Sequence, residues 1–69
     1  MSLRGTSKYQ ALLFAFKADE AEAKANIENY FSRSVGVAEH PNVIEDLKKL
    51  ITQLSQAQEN IKVLEKEFG

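Results

Sequence analysis

At 69 residues, with no cysteine and a single histidine, the chain is one small domain that has neither a disulfide framework nor the ligands for a structural metal. A domain of this size buries only about 60% of the surface that its unfolded chain exposes, so self-association is the remaining route to stability. Nine basic and ten acidic side chains, evenly spread, leave a net charge of -1 and no footprint for a polyanion. No apolar run approaches the roughly 20 residues that span a bilayer. Composition therefore argues against nucleic-acid and membrane partners, and the lack of cysteine fits a reducing, cytoplasmic setting.

Residues 1–6 show no periodicity and include Gly5, so they are expected to form a flexible tail outside the fold. A first helix is expected over about 7–33. Ser7 opens it in a Ser-x-x-Gln capping box with Gln10, and alanine-rich sequence favours its continuation. Tyr9, Leu13, Phe16, Glu20, Ala23, Ile27 and Tyr30 recur at spacings of four and three, which places them on one stripe of that helix.

Gly36 is the natural helix stop, with Val37 folding back onto Phe31, and residues 34–41 form the turn. A second helix follows over about 42–68. Pro41 suits its first turn, Asn42 with Glu45 resembles another capping box, and Glu45 with Asp46 complements the positive helix end. Its stripe is Val43, Leu47, Leu50, Leu54, Ala57, Ile61, Leu64 and Phe68, a heptad seam without a miss. Each arm is about 27 residues, or roughly 40 Å, so the two close on each other without overhang. Laid head to tail, Tyr30 meets Val43, Ala23 meets Leu50 and Phe16 meets Ala57, so large faces small twice. The expected fold is all-α: a two-helix antiparallel coiled-coil hairpin, dimerising into a four-helix bundle.

Apolar residues outside the seam carry the information about partners. Phe31, Ile44 and Ile51 flank it near the turn and widen the apolar face, as a two-fold dimer requires, unless Val35 and Val37 fold over them. Phe14, Ala18, Ala21 and Ala25 form a second stripe toward the back of the first helix, where alanine also serves simply as a good helix former. These seven residues are the candidate interface. Glu20 interrupts the seam opposite Leu54, and Lys17 and Lys24, one turn either side, are positioned to neutralise it.

Chemistry is harder to find. His40 stands beside Glu39 in the turn, but zinc needs three or four ligands, and an acid-base pair needs a pocket that a hairpin does not offer. The three glycines are scattered, so there is no phosphate loop, and Asp19, Glu20 and Glu22 point to different sides of their helix. The sequence thus supplies no catalytic residue, no cofactor-binding residue and no metal ligand.

The string Ser34-Val35-Gly36-x-x-Glu39-His40-Pro41 joining two helices resembles small uncharacterised helical-hairpin proteins of T4-like marine bacteriophages. The resemblance implies a viral origin and a place in the infected bacterial cytoplasm. It carries over no activity and no site residue. Those proteins often have an acidic residue where this chain has Asn42, a difference that bears on capping alone.

Three functions follow as expectations. The leading one is a non-enzymatic protein that self-associates and mediates protein-protein interaction, such as a phage accessory or assembly factor. The second is a nucleic-acid-binding hairpin dimer, similar in architecture to small plasmid RNA-binding proteins. Against it, Lys17 and Lys24 share a flank, but the position one heptad earlier is the neutral Gln10 and acidic residues intervene. The third, a small inhibitor docking its helix face on a host enzyme, differs from the first only in its partner.

Overall fold

The computed structural model describes residues 2–32 and 42–69. Two α-helices, α1 (Ser7–Ser32) and α2 (Val43–Phe68), pack against each other along their length, and no strand occurs among the described residues. They run antiparallel. At one end the Leu3 amide donates to the Phe68 carbonyl at 2.7 Å, and at the other the Tyr30 hydroxyl donates to Asp46 Oδ2 at 3.0 Å. The fold is therefore the all-α helical hairpin, a rod 53 Å long and 15 × 13 Å across. The expected helix stop at Gly36, the cover from Val35 and Val37, His40 and Pro41 all lie outside the described residues.

The heptad stripes are the inner surface. Tyr9, Ala23, Ile27, Ala57 and Leu64 are buried, and the other seam positions of both helices are half-buried, with Phe68 as the one that stays exposed. The core is thin for a geometric reason: two rods share one line of contact, so most seam side chains are shielded on one side only. Glu20 sits half-buried in that line, and neither Lys17 nor Lys24 pairs with it. The ion pairs among the described residues are Lys48–Glu45 at 3.4 Å and Lys62–Glu59 at 4.0 Å.

Both expected capping boxes require correction. Helix α1 is capped by Thr6, not Ser7: the Tyr9 amide donates to Thr6 Oγ1 at 3.2 Å and the Gln10 amide to the Thr6 carbonyl at 3.1 Å. The Gln10 side chain does reach back, but to the Arg4 carbonyl at 2.7 Å. Ser2–Thr6, expected as a tail, forms a turn in which Thr6 donates through both its amide and its hydroxyl to the Leu3 carbonyl. The Leu3 amide in turn satisfies one of the carbonyls that the last turn of α2 would otherwise leave bare. At the start of α2, Asn42 (φ -94°, ψ 7°) makes no side-chain cap bond, because its backbone is already near helical and carries the amide away from the free N–H groups. Glu45 pairs with Lys48 instead, and Glu45, Asp46 and Lys66 complement the helix dipole at the two ends of α2.

Candidate interaction surfaces

A hairpin presents two broad faces, one on either side of the plane that contains both helix axes. On the first, the α1 positions Asp19, Asn26 and Asn29 stand beside Asp46, Gln53 and Asn60 of α2, and two shallow clefts of about 210 and 320 Å³ run between them. Their walls mix amides and carboxylates with Lys49 and with Ala23, Tyr30, Leu50 and Ala57, and the same side carries the heptad positions of Leu12 and Val63, exposed by 47% and 44%.

The opposite face differs. It carries the α1 heptad positions of Phe31 and Phe14 and the α2 positions of Ile44 and Ile51, and these four are exposed by 71%, 65%, 62% and 46%. Phe31, Ile44 and Ile51 share the turn end, as their heptad positions require. Phe14 lies about 25 Å further along α1 on the same side, at 1.5 Å per residue. Ala21 falls between them on that side, whereas Ala18 and Ala25 point directly away from α2, so the alanine stripe divides between this face and the back. The apolar side chains of α1 are spread widely around its circumference, and those of α2 gather on one side. The exposed alanines of α1 account for much of that spread, since alanine favours helix wherever it stands.

The ends of the rod add a feature that the heptads do not announce. Leu3, Tyr9, Leu12, Leu64 and Phe68 line an apolar cleft of about 520 Å³ where the chain ends meet, and Leu3, Leu12 and Phe68 remain substantially exposed. Only Leu12, next to the seam residue Leu13, and the equal arm lengths hinted at it. Beneath the cleft, the Tyr9 hydroxyl is buried with no hydrogen-bond partner among the described residues. A Cβ placed on Gly69 would come within 2.5 Å of the Glu65 carbonyl and 2.9 Å of that hydroxyl, so this corner is closely filled.

Among the described residues no three His, Cys, Asp or Glu side chains stand where they can hold a metal ion. Among the same residues, no helix is long and apolar enough to cross a membrane. No family model matches the chain, and no curated protein or solved structure matches it either. The resemblance to phage proteins gains nothing from these comparisons, and the string that carries it lies outside the described residues.

Proposed function

We propose that the chain is a non-enzymatic helical-hairpin protein of the cytoplasm that self-associates and mediates protein-protein interaction as an assembly or accessory factor. The observation that carries this reading is surface in excess. The chain exposes 5382 Å², whereas a folded monomer of its mass, 7.8 kDa, exposes about 4,400 Å² by the usual scaling. Because a rod 53 Å long and 15 × 13 Å across exposes more than a globule of equal mass, shape accounts for some of that difference. Part of it is large apolar side chain on the face of Phe31, Ile44 and Ile51, where a monomer has most to gain from a neighbour.

Absolute mass by light scattering across a concentration series, with circular dichroism on the same samples, tests this reading. A helical dimer or larger assembly at micromolar concentration is the expected result. A stable helical monomer up to millimolar concentration overturns self-association.

A further inference from the structure

Given self-association as proposed above, the pattern of charge on the apolar face also specifies how two copies meet. We infer that a second copy of this chain covers the face of Phe14, Phe31, Ile44 and Ile51 with the two hairpins parallel, turn beside turn, so that α1 of each stacks on α2 of the other.

The argument runs through the two ways in which a two-fold axis can pair this face with itself. With the axis along the rod, residues at the same height meet, α1 against α2. The Tyr30–Asp46 bond sets the heights. Phe31 then lies over the partner copy's Ile44, closing the turn-end patch on itself. Exposed Glu28 lies over exposed Lys48, and the small Ala21 over Ser55. Further down, Phe14 meets the aliphatic stem and ammonium of Lys62, a contact that aromatic faces favour. Phe31 on Ile44 is apolar on apolar, Glu28 on Lys48 is acid on base and Phe14 on Lys62 is aromatic on cation, while Ile51 comes over the aliphatic stem of Lys24.

With the axis across the rod, the hairpins are antiparallel and each helix stacks on its own copy. At full overlap Lys48 then faces Lys62, and Ile44 faces Glu65. Phe31 is carried to the partner's N-terminal end beside Ser7, and its large apolar ring is left without an apolar partner. The same face therefore offers a complementary surface in one orientation and a repulsive, mismatched one in the other, which is how charge selects geometry between similar hydrophobic contacts.

Charge reversal at exposed positions separates the outcomes, and both positions lie outside the seam, so the variants retain the hairpin. Glu28→Lys and Lys48→Glu are each expected to weaken the dimer about tenfold, since symmetry reverses two ion pairs at once. Their combination is expected to restore it. Circular dichroism of the variants confirms that helix content is retained. If the native chain dimerises but Lys48→Glu tightens the dimer or leaves it unchanged, the parallel arrangement is wrong while self-association stands. If the native chain is a monomer, both fall together.

Discussion

Tyr9 is the most buried polar residue among those described, at 3% exposure, and its hydroxyl finds no partner there. The ring earns its place at seam position by area, filling the end of the rod between the Thr6 turn and Leu64. The hydroxyl contributes a desolvation cost without a compensating bond. Tyr9→Phe is therefore expected to stabilise the hairpin by about 1 kcal/mol, read as a higher urea midpoint at unchanged slope. A loss of stability would mean that the hydroxyl is paired after all. Tyr30 at the other end illustrates the alternative solution: its hydroxyl donates to Asp46 and ties the turn ends of the two helices. Glu20 is a third case. It is half-buried in the seam and makes no ion pair with Lys17 or Lys24, so the solvent that reaches the partly open seam is what stabilises its charge.

At the scale of elements, α1 depends on a residue that lies outside the expected helix. Thr6→Ala should cost about 1 kcal/mol, as loss of an N-cap does, whereas Ser7→Ala should cost a few tenths at most; thermal melts of the two variants side by side check this. Equal effects would return the cap to a shared role. The seam was legible from sequence because burial repeats every 3.5 residues, and Val43, Leu50, Ala57 and Leu64 keep that repeat without interruption. The cap was not. Thr6 and Ser7 are adjacent and both have the hydroxyl, so local pattern alone leaves the choice open. The Leu3–Phe68 bond decides it by folding residues 3–6 into the turn that presents Thr6, and a contact between opposite ends of the chain leaves no local trace. The candidate surface divides in the same way. That Phe31, Ile44 and Ile51 stand off the seam follows from spacing, but the cleft lined by Leu3, Leu12 and Phe68 exists only because the arms end together.

For the whole molecule the decisive quantity is area per chain. A single helix-helix line buries five side chains well and leaves four large apolar residues more than two-fifths exposed on one face, Phe14, Phe31, Ile44 and Ile51. Folding such a rod recovers little hydrophobic free energy against the conformational entropy of its residues, and a second rod on that face recovers more from side chains that are already ordered. If a second copy covers that face as proposed, folding and association are one equilibrium and stability depends on protein concentration. The midpoint of thermal unfolding is accordingly expected to rise by several degrees between about 1 and 100 μM, since each tenfold step adds about 1.4 kcal/mol of mass action to the folded dimer. Ile51→Lys, which places a charge on the face proposed for the second copy, is expected to abolish that dependence and lower the midpoint at high concentration to the value seen at low. A native midpoint that does not move with concentration, measured by circular dichroism at matched heating rate, would make the single hairpin sufficient in itself and leave the apolar face to a different protein.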